Sequence, residues 1–259
     1  MNYFTQQSIE LANQRNYLDL LFNVYPLSPD TIREIPKDIW SSVEYNFNNR
    51  NNVELFKNLL SLDLFPIKDG YVPFFRLDKD AVYRNPETVN RICGRIYEQG
   101  LDKIYEKCTQ PKETNRQMGS LFSRWVKSGV LGTMPVVEEV FISSNNNAIL
   151  LGSDAALADF ARRKLGYTRD KGLDFLARFN GKYIIGEAKF ISDEGGHQND
   201  QFLDAMATLQ TPVNEDVIPI AILDGVLYIE SKKKMFRAVT SKDVNVMSSL
   251  LLRDFLYSI

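Results

Sequence analysis

The pattern of apolar and polar positions changes character along the chain. Up to about residue 110 the apolar positions recur mostly at helical spacing. Ile9, Leu11, Leu18, Leu21 and Phe22 form one stripe, which stops near Pro26. A second helix is predicted from Asn85, a capping residue followed by Pro86 and Glu87, to Gly100. Between them, the segment 71–76 (YVPFFR) reads as a short strand or a buried loop, and further on Asn145, Asn146 and Asn147 mark a turn.

After residue 150 the pattern sharpens. Ser153 can cap a helix with Leu157, Phe160, Ala161 and Leu165 on its apolar face and Gly166 just past its end. Two strands follow, 172–179 (GLDFLARF) and 182–190 (KYIIGEAKF), joined by Asn180-Gly181, a dipeptide that tolerates the positive φ a two-residue hairpin turn demands. Next come a polar loop (SDEGGHQND) and a helix carrying Phe202, Met206 and Leu209. The run 217–223 (VIPIAIL) reads as a buried strand, and after Asp224-Gly225 the segment 226–230 (VLYIE) reads as another. The expected class is α/β: a central mixed sheet flanked by helices over 111–259, and an N-terminal, mainly helical region over 1–110 packed onto it.

The hairpin carries the chemistry. A two-residue turn sets Phe179 opposite Lys182, and stepping back along one strand and forward along the other brings Asp174 opposite Glu187, with Lys189 two residues on and on the same face. The opposite face presents Phe175, Ala177, Phe179, Ile184, Ala188 and Phe190, an apolar surface that must pack on a core. Two carboxylates across a non-hydrogen-bonded pair have Cβ atoms roughly 4.5 to 5.5 Å apart and repel unless one is protonated or a cation joins them. Mg²⁺ is such a cation: it takes oxygen ligands at about 2.1 Å, accepts one or two carboxylates and fills its other positions with water and phosphate. An adjacent lysine can then orient or deprotonate a water that attacks a phosphodiester.

Composition adjusts this picture only slightly. The 259 residues are 44% hydrophobic and can bury a sizeable core, while 31 basic and 33 acidic residues give a net charge of −2 and a pI near 5.6. That balance lacks the basic excess common among phosphate-binding proteins, although 31 cations suffice to line one groove. Cys93 and Cys108 are too few to staple a chain of this size and stand in no CxxC pair, so neither a disulfide framework nor zinc is expected. The N-terminus has no signal-peptide pattern and no apolar run spans a bilayer, so a cytoplasmic protein without membrane contact is expected.

Asp174, twelve intervening residues and Glu187-Ala188-Lys189, set in helix-strand-strand-helix-strand order, resemble the PD-(D/E)XK nuclease superfamily, and type II restriction endonucleases in particular. The wider stretch KGLDFLARFNGKYIIGEAKFISDEGGHQNDQF looks like their catalytic segment, and the resemblance covers about residues 150 to 230. It departs from the motif in having Leu173 where the pattern has proline. The resemblance implies a restriction-endonuclease-like core, Asp174 and Glu187 as Mg²⁺ ligands with the Ala188 carbonyl as a third, and Lys189 as catalytic lysine. It implies site-specific hydrolysis of double-stranded DNA within a restriction-modification system that includes a methyltransferase. A homodimer matching a palindromic site is expected on the same ground and by symmetry. The region 1–110 would then serve DNA recognition or dimerisation. A repair or junction-resolving nuclease of the same superfamily, or a DNA-binding protein without catalysis, are the alternatives.

Candidate DNA contacts lie near the hairpin. His197, Gln198 and Asn199 follow the second strand, although Asn199 or Asp200 could equally cap the next helix. Arg169 and Lys171 precede Asp174 and suit phosphate contacts. Lys112, Arg116, Arg124 and Lys127 form a basic face on which Asn115, Arg116 and Gln117 could reach DNA, and the run 232–234 adds three lysines in a turn. Glu138, Glu139 and Asp159 are candidates for a further carboxylate, with nothing in the sequence to choose among them.

Overall fold

The computed structural model describes residues 1–27, 32–111, 114–230 and 234–259, with the side chains of 114–116 also left aside. The expectations placed on Lys112, on the Asn115 and Arg116 side chains, and on Lys232 and Lys233 therefore lie outside the described residues.

The chain forms two compact units, Met1–Leu27 with Thr114–Ile259, and Ser28–Glu113. The first 27 residues thus fold with the sheet and not with the helices that follow them. Hydrogen bonds make the reason plain: Thr5 donates to the Val246 carbonyl at 2.8 Å, and the Ser248 N–H donates to Ser8 Oγ at 2.8 Å.

The larger unit is built on six strands lying side by side in chain order: β1 (Pro135–Val136), β2 (Ala148–Leu150), β3 (Phe175–Phe179), β4 (Lys182–Ile191), β5 (Val217–Gly225) and β6 (Val246–Met247). Pairs β1/β2, β4/β5 and β5/β6 are parallel, and β2/β3 and β3/β4 antiparallel, so the sheet is mixed. One face packs on Leu21 and Val24, on Met118, Leu121, Phe122 and Val126, and on Leu252, Phe255 and Leu256. These come from α2 (Tyr17–Val24), the helix Thr114–Lys127 and the helix Leu252–Ser258. The expected apolar face of the hairpin is the sheet's contribution to this core: Phe175, Ala177, Phe179, Ile184 and Ala188 are buried in it, with Phe190 at its margin. The other face is covered by the helices Asp154–Lys164, Gly196–Leu209 and Lys234–Thr240.

The turn 180–181 has φ of 49° at Asn180 and 78° at Gly181, as a two-residue turn of this hand requires, and Phe179 pairs with Lys182. Ser153 Oγ accepts from the Ala156 N–H at 3.3 Å and so caps the helix Asp154–Lys164.

Other expectations are corrected. The stripe through residues 9–22 is two helices, α1 (Tyr3–Ala12) and α2, broken at Asn16 with φ 74°; Leu21 is buried, but Leu18 and Phe22 are 69% and 57% exposed because the break turns the second helix. The segment YVPFFR lies in neither strand nor loop but in a helix, Val72–Leu77, with Pro73 in its first turn and Val72 and Phe75 buried one turn apart. VLYIE is no strand either: Val226–Tyr228 is a single 3-10 turn, because Gly225, at φ 105°, presses so closely on the Ile191 carbonyl that a side chain could not fit, and the strand ends there. Asn85 opens the helix Pro86–Gln99, but its side chain bonds backward to the Ala81 carbonyl instead of capping.

Among the described residues of the unit Ser28–Glu113 the regular elements are helices: Lys37–Asn48, Asn52–Ser61, Val72–Leu77, Ala81–Arg84, Pro86–Gln99 and Leu101–Cys108. It has its own core of Val43, Leu55, Phe56, Leu59, Ile92 and Ile96, in which Cys93 and Cys108 are buried as free thiols.

Candidate active site

Three residues converge at the open end of the β3–β4 hairpin. The paired ladder stops at Phe175 and Gly186, one residue short of the expected Asp174–Glu187 pair; there the Asp174 N–H donates to the Gly186 carbonyl at 3.1 Å. The Asp174 carboxylate turns back across β4, where Oδ2 accepts from the Ala188 N–H at 2.9 Å. Lys189 Nζ donates to Asp174 Oδ2 at 2.7 Å, to Glu187 Oε2 at 2.8 Å and to the Ala188 carbonyl at 3.1 Å. The Glu187 side chain is only 2% exposed. Both carboxylates and the carbonyl thus address a single point, at which the ammonium sits.

Burial dominates the electrostatics. It pushes the Glu187 carboxyl above the usual carboxylate range, against the pull of Lys189. For Lys189, burial opposes the charge, yet Asp174 and Glu187 together hold its pKa above that of an ordinary lysine. A third carboxylate lies close enough to matter: Asp154, in the first turn of the helix that precedes the hairpin, is raised by burial and then by the charge of Asp174, and is eased by Lys189 and Lys127. Gly172 makes this approach feasible. A Cβ there would come within 2.8 Å of the Asp154 Cβ, and the Leu173 N–H donates to the Asp154 carbonyl at 3.0 Å.

Three further residues, Lys171, Arg169 and Lys127, were legible only in part. Lys171 Nζ stands 3.6 Å from Glu187 Oε2 and is also paired with Asp204, on the helix Gly196–Leu209. Arg169 donates to Asp204 Oδ1 at 2.7 Å, to the Asp204 carbonyl at 3.1 Å and to Thr208 Oγ1 at 2.5 Å, so its guanidinium is clamped to that helix. Lys127 and Ser123 line a shallow cleft together with Gly152 and Asp174. Asp154 and Asp204 were missed: the first reads as a helix-capping acid and the second as an ordinary polar face, and only the fold brings them to the hairpin.

These features, with the mixed sheet behind them, accord with what comparison finds over the whole chain: the family model described as Tsp45I type II restriction enzyme matches residues 2–259. The chain belongs to the Tsp45I type II restriction enzyme family. No curated protein and no solved structure matches it. As a member of that family it is a restriction endonuclease, a site-specific deoxyribonuclease, and its α/β core with a six-stranded mixed sheet flanked by helices is consistent with the restriction-endonuclease-like fold. Among the described residues no helix is long and apolar enough to cross a membrane.

The restriction enzyme's other candidate residues fall in different places. The helix Gly196–Leu209 begins four or five residues earlier than expected, at Gly195 as cap, so neither Asn199 nor Asp200 caps it and the supposed loop 195–199 is its first turn. Gln198 is 4% exposed and its Oε1 accepts from the Ser192 N–H at 3.2 Å, so its amide faces inward. His197 is exposed and shares a hydrogen bond with Gln201 at 3.1 Å; Asn199 is half-buried. On the helix Thr114–Lys127, Arg124 and Lys127 are exposed opposite the buried face, and Gln117 is half-buried. Glu138 and Asp159 both pair with Arg163, at 2.9 and 2.8 Å, in a surface cluster of their own.

The donor set suits a hard cation. Asp174 and Glu187 offer carboxylate oxygens and Ala188 a carbonyl oxygen, while among the described residues no group of three or more His, Cys, Asp or Glu side chains is arranged to hold a metal ion. Two carboxylates completed by water and phosphate are the ligands magnesium takes.

Proposed function

We propose that this restriction endonuclease hydrolyses phosphodiester bonds of double-stranded DNA with Mg²⁺, at a PD-(D/E)XK site made of Asp174, Glu187 and Lys189. The observation that carries the reading is the convergence of Asp174, Glu187 and the Ala188 carbonyl on one cation-sized position. Asp174, Glu187 and the Ala188 carbonyl would hold the ion. When bound, magnesium lowers the pKa of its water and neutralises charge that develops on the phosphate.

The chain's own groups do the rest. Lys189 is fixed by its place on β4 and lies within reach of any phosphate bound at the carboxylates, where its ammonium orients the attacking water and offsets the negative charge of the transition state. The buried wall beneath, Ala188 and Phe175 among it, holds in place the hairpin backbone that carries these groups. Lys127 at the cleft, Lys171 beside Glu187, and exposed His197 with Asn199 at the following helix supply contacts to the DNA. Arg116 and Gln117 belong to this proposed contact set, and Arg169 and Gln198 support it from within.

The test is digestion of a defined plasmid with and without Mg²⁺. Discrete bands that vanish with chelator support the reading. Cutting limited to branched or damaged DNA, or cutting unaffected by chelation, contradicts it.

A further inference from the structure

Glu187 Oε2 is flanked by two ammonium groups, Lys189 at 2.8 Å and Lys171 at 3.6 Å. Lys189 is shared between Asp174 and Glu187, so one ammonium faces two carboxylates and Lys171 is the second cation that faces them. On its other side Lys171 is paired with Asp204. Asp204 is itself fixed, because Arg169 donates to both its side chain and its carbonyl and to Thr208 one turn on. The helix Gly196–Leu209 thus holds a carboxylate whose position is set from one side by a guanidinium and which presents an amine toward Glu187 on the other. The Lys171 side chain remains 33% exposed, enough to meet a ligand that reaches Glu187 from solvent.

We propose that Lys171 is a second phosphate-binding cation of the active site, beside Lys189, and that Asp204 is the positioning residue that aims it, with Arg169 as the brace for Asp204. The inference rests on the reading of Asp174, Glu187 and Lys189 as the nuclease site. It assigns different roles to two cations close in sequence: Lys171 touches DNA phosphate, whereas Arg169 does not. It also reverses an ordinary expectation, since removing an acidic side chain beside a DNA site normally strengthens binding to the polyanion.

The experiment uses the full-length enzyme and a linear plasmid fragment that it cuts. Binding is measured with calcium in place of magnesium across a range of salt, and cleavage with magnesium at saturating DNA. For Lys171→Gln the slope of log affinity against log salt becomes shallower by about 0.9, the value of one phosphate contact. For Asp204→Asn it changes by the same amount, although a negative charge has been removed. Each variant loses about 10²-fold in kcat, the double variant loses no more than Lys171→Gln alone, and Lys171→Arg recovers part of the loss. If Asp204→Asn instead binds more tightly with the original slope and cuts normally, or if the two losses add, the proposal is wrong. Melting temperatures identify a variant that fails to fold; should Asp204→Asn be one, Lys171→Gln with an unaltered slope and rate overturns the idea by itself, and loss with recovery in Lys171→Arg upholds it. Asp174→Asn is the separate control: cleavage retained there sinks the underlying site whatever Lys171 does.

Discussion

Lys189 makes three hydrogen bonds to the same oxygens that are proposed to bind magnesium, so ammonium and metal compete for one position. Replacing Lys189 by Met removes the competitor and leaves both carboxylates in place. Calorimetric titration with Mn²⁺ should then give affinity tighter by about tenfold, even as DNA cleavage is lost; weaker binding would mean that the lysine supports the metal site instead of occupying it. At this scale the sequence was informative where chemistry is local. Asp174, Glu187 and Lys189 are joined by one tight turn, and counting from Asn180-Gly181 places them. Asp154 and Asp204 reach the site through the packing of separate helices, so no spacing along the chain announces them. Gln198 illustrates the reverse: an amide suited to a base edge proves to be buried against Ser192, because the helix starts four or five residues sooner than its polar letters suggest.

The elements set the tolerances. Gly172 lets the entry to β3 lie against the first turn of the helix Asp154–Lys164, and a Cβ would meet backbone and side-chain atoms of Asp154 at 2.8 to 3.3 Å. Gly172→Ala should therefore push Asp174 off its position and lower kcat by about 10²-fold, with the melting temperature changed little; wild-type cleavage would show that the contact yields freely. Further along β5, Asp224 is fully buried and accepts from Tyr25 at 2.8 Å, from Ser248 at 2.5 Å and from the Ser249 N–H at 3.2 Å. Burial nevertheless raises its pKa above the carboxylate range. The folded state then binds this proton more tightly than the unfolded chain does, so stability is greatest below the unfolded pKa and falls as pH climbs from there through the raised folded value. Urea unfolding of wild type and Asp224→Asn over that window should show the steeper decline in wild type, since the raised carboxyls of Glu187 and Asp154 are common to both; parallel curves would exclude it. Asp224 reads in the sequence as half of an Asp-Gly turn, because its partners Tyr25 and Ser248 are far away along the chain. The segments YVPFFR and VLYIE mislead for a related reason: both are rich in strand-forming residues, but a proline early in the first and the crowded glycine before the second decide their conformation.

At the scale of the molecule, the α/β core was legible from helix-strand-strand-helix-strand periodicity, whereas the division of the N-terminal residues was not. The stripe that begins at Ile9 stops near Pro26 and reads in the sequence with the later helices as one region over 1–110, yet α1 and α2 complete the sheet's core and Ser28–Glu113 encloses a core of its own. Net charge of −2 leaves DNA binding to local arrangements of cations and not to an overall basic surface. A homodimer is the proposed active form, since a two-fold protein matches a palindromic duplex; light scattering should return twice the 29.7 kDa chain mass at micromolar concentration, and a monomer that cuts both strands would refute it. The most direct test of the whole account is magnesium-dependent cleavage of plasmid by Asp174→Asn and Glu187→Gln, each checked for folding by its melting curve. The account predicts that both fold and bind DNA while neither cuts it; a folded variant of either kind that cuts at the wild-type rate would contradict it.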